Sequence, residues 1–388
     1  MRKISLVLTV FLAFAVVSRA QLIKSITTQA GTPEDKALDE ITNTSDPAQK
    51  LALIEKFNAD FGKGDLQLLG LDLYVSYYLD TGDFKKMAEY ADKILVIDPD
   101  NFSAALHLAR AESQLGDAAG VFAAGEKLSG IIARYDAQTP PAGADSSWAS
   151  LHKQALADQQ DQIQYVASLM ANALYKVQAP TERAAYAERL AAMYPDSSYA
   201  IYAEKTAATA YQQAQNFPKM AAAAEKVLAS QPNDTDMLVL AAEYYSSSGE
   251  QLDKAAADAT KAIQLLPTAK APDGISADQW QKQITFQTGI AWSAQGQVLI
   301  NKDDLAGAVS AFQKASPLLK GDLNSYARNL YRLGYAYARL QKIPEARAAL
   351  TEAASYDTPY KADALKTLSE LGNGTPPKRS GRGRGGME

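Results

Sequence analysis

Gly82 and Gly116 stand 34 residues apart, each followed by Asp and each preceded by apolar residues at helical spacing. A recurrence of this length constrains the chain more than any bulk property does. Two short helices joined by a turn cannot bury their apolar stripes alone, so such units must stack on copies of themselves. In residues 68–101 the pattern reads as a helix through Leu71, Tyr74 and Tyr78, then the turn Thr81-Gly82-Asp83. A second helix follows through Met87, Ala91 and Ile94, and it stops at Asp98-Pro99.

The same order recurs in residues 201–234, 235–268, 289–322 and 327–360, with weaker copies at 102–131 and 164–197. The 235–268 copy carries one extra residue after its turn at Gly249. The last two copies are the clearest. One has Trp292, Gly296, Leu299, Leu305, Ala308, Phe312 and Ala315; the other has Leu330, Leu333, Gly334, Tyr337, Ile343, Ala346, Leu350 and Ala353. These positions resemble the tetratricopeptide repeat (TPR) at its fourth, seventh, eighth, eleventh, seventeenth, twentieth, twenty-fourth and twenty-seventh residues. The resemblance implies an all-α fold, a right-handed α-solenoid of stacked antiparallel helix pairs.

Small residues at Gly296, Gly334, Ala308 and Ala346 let the two helices of a unit approach closely, and Tyr78, Tyr211, Tyr245 and Tyr337 fill the space between them. Pro99, Pro195, Pro232 and Pro267 end second helices because proline cannot continue the hydrogen-bond ladder. On this reading residues 68–371 form the array. Residues 21–67 hold a degenerate helical unit, a helix from Asp46-Pro47 through Phe57 and Phe61. Residues 359–371 form a closing helix with Ala364, Leu365, Leu368 and Leu371 on its apolar face. Two insertions, near 139–177 and 268–300, share the order Pro/Gly segment, Asp/Ser cap, Trp and long helix. That shared order suggests a duplication. It predicts continuous projecting helices over about 147–177 and 277–300.

The ends differ from this body. Residues 1–20 have Arg2 and Lys3, an apolar run over 4–17, and Ser18-Arg19-Ala20 before the expected cut, which is the pattern of a secretory leader. The run is short for a membrane span. The resemblance is therefore to the exported bacterial type, periplasmic or secreted, with no span once the leader is cut. Residues 372–388 are rich in Gly, Pro and Arg and predict a disordered basic tail. The net charge of −5 hides this division: the two ends carry +3 each, and the body between them carries −11. So acidic a body makes nucleic acid a poor main partner.

With no Cys, the chain has no disulfide, thiolate metal site or cysteine nucleophile. With only His107 and His152, a histidine metal centre or a Ser-His-Asp triad has little to draw on, and both read as surface or groove residues. The pair Asp303-Asp304 falls at an interhelix turn, and the Asn-x-Ser/Thr triplets at Asn43, Asn101, Asn233 and Asn373 carry little information. No cofactor, metal site or enzymatic activity is expected.

Recognition is the better reading. In the TPR architecture the first helices line a concave groove, through their second, fifth, ninth and twelfth or thirteenth residues. The resemblance places Arg328, Tyr331, Tyr335 and Arg339 there in the last copy, and Tyr202, Lys205, Thr209 and Gln212 in the 201–234 copy. Arg and Tyr suit an extended or helical peptide of acidic character; packing between units is the competing role for the tyrosines. The family's Lys/Asn pattern for carboxylate capture is not matched, since Thr209, Glu243 and Gln297 hold the ninth positions. Trp148 and Trp280 either anchor a partner, a second copy included, or staple their helices to a neighbouring unit. The expected function is an exported scaffold or adaptor binding a protein or peptide in the groove. An assembly or chaperone-like factor for exported proteins and an envelope carbohydrate- or peptidoglycan-processing enzyme are the alternatives.

Overall fold

The computed structural model describes residues 22–23 and 26–372; the expected leader and nearly all of the basic tail lie outside the described residues. Every regular element among the described residues is helical. They divide into two compact units, one of residues 1–178 and 189–200, the other of 179–188 and 201–388.

In unit 1 the helices are α1 Pro33–Asn43, α2 Pro47–Phe61, α3 Gln67–Thr81, α4 Phe84–Ile97, α5 Phe102–Leu115, α6 Ala118–Asp136, α7 Trp148–Ala157 and α8 Gln160–Leu174. Helix α9, Pro180–Met193, spans the division. Unit 2 holds α10 Ala200–Gln213, α11 Phe217–Ser230, α12 Thr235–Ser248, α13 Leu252–Leu265, α14 Ala277–Asn301, α15 Leu305–Leu319, α16 Leu323–Arg339, α17 Ile343–Ser355 and α18 Tyr360–Gly372.

Local chemistry sets the helix ends. Asp46, Asp83, Asn101, Asp117, Asn216, Asp234, Asp304 and Asp322 each accept a hydrogen bond from a backbone N–H in the first turn of the following helix. Ser276 and Gln279 form a reciprocal capping box at α14. Between the helices of a pair the backbone turns through a left-handed residue. Gly82, Gly116 and Gly249 serve in three hairpins, and Gln215, Asp303 and Gln341 take the same place in others. The extra residue of the 235–268 copy appears as a second left-handed residue, Gln251.

Within each unit the helices stack as antiparallel pairs. In unit 2, α12, α14 and α16 each pack on the second helix of their own pair, on the preceding second helix where there is one, and on the next first helix. The small residues explain the close approach: a Cβ on Gly296 would stand 2.6 Å from Phe312 Cε1, and one on Gly334 would stand 2.6 Å from Leu350 Cγ. Buried Ala259, Ala308, Ala315, Ala346 and Ala353 continue the seam. The main core of unit 2 runs from Leu238 through Ile290, Leu319 and Leu330 to Leu350 and Leu371.

Four expectations need correction. Residues 33–43 form α1 and complete a hairpin with α2, their Ile41, Ile54 and Phe57 buried together, where a half unit was expected. The stretch 147–177 is two helices. Helix α7 stops at Asp158, whose carboxylate accepts from Gln154 Nε2, and the turn at Gln159 redirects the chain so that α8 packs on α5 and α6. By contrast α14 is one 25-residue helix. Leu365 lies off the apolar face of α18, 52% exposed, while Tyr360, Ala364, Thr367 and Leu371 make the buried stripe. Finally, His152 is no surface residue. It is buried, stacked between the rings of Tyr135 (4.2 Å) and Trp148 (4.6 Å), and its Nε2 donates to the Tyr135 carbonyl at 2.8 Å.

Candidate functional site

The first helices of unit 2, α10, α12, α14 and α16, line a cleft of about 380 Å³. Its apolar floor is Val239, Leu240 and Ile290, all buried, and Phe286 stands in it 37% exposed. On one wall Gln287 Nε2 donates to Asp236, while Gln287 Oε1 is buried without a partner. Thr209 and Gln212 of α10 close the far wall.

The charged end of the cleft is built between α12 and α16. Arg328 is 9% exposed, and its Nη2 lies 2.5 Å from Glu243 Oε1. One turn on, Arg332 is 8% exposed and donates to Ser247 Oγ at 3.1 Å. Burial opposes charge on Arg328, but Glu243 and the Tyr360 hydroxyl outweigh it and hold its pKa above the ordinary value. At Arg332 the pull of Tyr360 and Glu243 is too weak to offset burial. Burial, then the adjacent Arg328, push it down to about 10, so it still carries its charge at neutral pH. Glu243 thus pairs with Arg328 while only its field reaches Arg332, and Arg328 Nε has no partner. Such a site favours an added negative charge or hydrogen-bond acceptor.

Of the residues expected at groove positions, Thr209, Gln212, Glu243 and Arg328 line this cleft. Lys205 instead pairs with Asp234, the N-cap of α12, and neighbouring Tyr202 is half-buried on α10. Tyr331 packs against the main core with its ring 6.4 Å from that of Tyr360, and burial raises its pKa. Arg339 is held at the far end of α16, by Asp303 at 2.9 Å and the Tyr335 hydroxyl at 3.4 Å. Trp148 stacks on His152 of its own helix, and Trp280 donates from Nε1 to the Ala269 carbonyl at 3.0 Å.

Phe286, Gln287 and Gln283 escaped the sequence reading because they lie in the N-terminal extension of α14, ahead of the copy that begins at 289. Arg332 does not line the cleft; its hydrogen bond to Ser247, 85 residues away, could not be read from the repeat phase. The helical phase of the extension was readable, since 283, 286, 287 and 290 share one face.

Unit 1 has a cleft of its own, of about 310 Å³, lined by Phe102, Leu106, His107 and Arg110 of α5 and by Gln159, Gln162 and Tyr165 at and beyond the α7–α8 turn. His107 is half-buried with Nδ1 unpartnered. Burial lowers its pKa, against an opposing pull from Asp72, whose own pKa burial raises. Among the described residues no three His, Asp or Glu side chains gather to hold a metal ion, and no helix is long and apolar enough to cross a membrane.

No curated protein matches the chain. Among solved structures, the crystal structure of the P58(IPK) TPR domain at 2.5 Å is similar at 11% identity and a TM-score of 0.24, covering 88% of this chain and 99% of that one. Residues 327–359, from within α16 to just before α18, match the family model for the tetratricopeptide repeat. The chain carries a tetratricopeptide repeat there, in the copy where the sequence pattern is most complete.

Proposed function

We propose that the chain is an exported protein-binding scaffold whose unit 2 cleft grips a peptide segment pairing an acidic side chain with aliphatic neighbours. The observation that carries this reading is Arg328 at the cleft's end, paired with Glu243 but with Nε unpartnered and Arg332 one turn away, set beside an apolar floor with a half-open Phe286. An acidic group would complete the charge balance, and flanking aliphatic residues would cover Phe286. Interaction scaffolding is the general role of tetratricopeptide repeats, and the match at 327–359 supports it. Export rests on the leader pattern of residues 1–20 and places the protein in the periplasm or outside the cell.

A non-enzymatic role is consistent with the histidines. The His152 ring is clamped in a stack, with Nε2–H committed to a carbonyl. The exposed Phe286 and the apolar floor also favour a second reading, a holding factor for unfolded exported chains, which would bind aliphatic peptides whether or not they carry acid.

Calorimetric titration of the full chain with matched peptides, one carrying Glu and one Gln between aliphatic residues, separates the two. Acid-specific binding that falls about tenfold on Phe286→Ala, or about 1.4 kcal/mol, is the expected result. Equal binding of both peptides favours the holding factor, and binding untouched by Phe286→Ala removes the cleft from consideration. Charge reversal at Arg328 is a poor probe here, because the residue is buried against Glu243 and its loss would disturb the fold.

A further inference from the structure

The cleft of unit 1 differs in charge from the body around it. That body is acidic, at −11, yet no Asp or Glu lines this cleft, and Arg110 is its one charged lining residue. Among the described residues Arg110 forms no hydrogen bond or ion pair, whereas Arg134, Arg189 and Arg339 are each held by a carboxylate. One turn earlier on α5, His107 is half-buried, and its Nδ1 is buried without a partner. Burial lowers the His107 pKa and Arg110 lowers it further, against an upward pull from Asp72, so the ring is neutral at neutral pH. Gln159 and Gln162, where α8 begins, bring two side-chain amides that no described group takes up. Phe102, Leu106 and the Tyr165 ring supply the apolar side.

We propose that the unit 1 cleft is a small-molecule site for a monocarboxylate with an aromatic or aliphatic body. The charge count selects a single negative charge. The cleft offers one guanidinium without a protein partner and one neutral imidazole, so a carboxylate is matched and a phosphate dianion is left in excess. The guanidinium is a planar fork of N–H groups that meets a carboxylate through two parallel hydrogen bonds. His107 Nδ1, in the tautomer that carries its proton there, donates a further bond. Phe102, Leu106 and Tyr165 cover the apolar body and withdraw it from water. A volume of about 310 Å³ suits a ligand of this size. This inference concerns a small anion in unit 1 and stands apart from the peptide reading of unit 2.

The test uses the full chain with isotope-labelled histidine, and phenylacetate as the probe. The sequence holds only two histidines, so NMR reads His107 at the cleft and His152, clamped between two rings, as the internal control. Phenylacetate is expected to shift the His107 signals saturably, with a Kd on the order of 1 mM for so small a ligand, and to leave His152 in place. Phenylacetamide, alike in shape but neutral, should bind about tenfold more weakly. Arg110 is exposed, so Arg110→Gln should keep the helical circular dichroism and remove the preference for the acid. Equal binding of acid and amide by the intact chain would overturn the proposal. So would a preference that survives Arg110→Gln, equal shifts at both histidines, or no shift of His107 at several times the expected Kd. No histidine lines the unit 2 cleft, so the His107 signal reads unit 1 and the Phe286 titration is judged separately.

Discussion

Glu243 acts on two buried arginines of unit 2. It is the carboxylate facing Arg328, and its field also supports Arg332. Removing one partner of a buried pair leaves the other charge unsolvated and unmatched. Glu243→Gln should therefore destabilise unit 2 by about 3–5 kcal/mol in urea unfolding. Replacing Glu243, Arg328 and Arg332 together by apolar residues of similar volume should recover most of that loss. A loss below about 1 kcal/mol for Glu243→Gln would mean that water reaches the pair freely.

His107 makes a pH-dependent contribution in unit 1. Burial lowers its folded pKa below 6.5, Arg110 lowers it further, and Asp72 pulls the other way. The unfolded chain therefore takes up this proton first as pH falls. The stability associated with neutral His107 is fully present above about pH 6.5 and is lost as pH falls through the depressed folded value. Asp72, its folded pKa raised, contributes with the opposite sign, in the range between that raised value and about 3.8. His107→Gln should flatten the decline in stability just below pH 6.5; an unchanged slope in denaturant titrations at stepped pH would show that the ring is solvated.

At the scale of helices, the close seam between α16 and α17 depends on having no side chain at Gly334, where a Cβ would meet Leu350 Cγ at 2.6 Å and the Ala346 carbonyl at 3.3 Å. Gly334→Ala gains about 1 kcal/mol of helix propensity but overpacks the seam, and the net should be a loss of about 1–3 kcal/mol. Gly321→Ala has open space around it and should stay within about 0.5 kcal/mol. Thermal melts of the two variants make the comparison, and an equal effect would remove the steric account. This seam was legible in the sequence because Gly296, Ala308, Gly334 and Ala346 repeat at fixed spacing. The break between α7 and α8 was not, since neither Asp158 nor Gln159 is a helix breaker and tertiary packing of α7 on α6 decides it. Helix α1 was legible but went unread: Thr32-Pro33 is a cap followed by proline in the first turn.

At the scale of the molecule, stacking converts a local period into a binding surface. Each hairpin contributes one first helix to the cleft, so residues far apart in the chain meet there, with Thr209, Glu243, Phe286 and Arg328 on four separate helices. Sequence phase located four of the cleft's residues in advance, Thr209, Gln212, Glu243 and Arg328, and the contribution of α14 emerged only from the fold. The assembled cleft, rather than any single side chain, is what the account puts forward as functional.

The most direct measurement is photo-cross-linking with the full chain in its native compartment. A photoreactive residue replaces Phe286 in the cleft in one variant and Lys226, exposed on α11, in another. The account predicts a discrete protein adduct from position 286, suppressed by excess acidic peptide, and none from 226. Equal labelling at both positions, or no adduct at 286 from a folded and correctly localised chain, would contradict it.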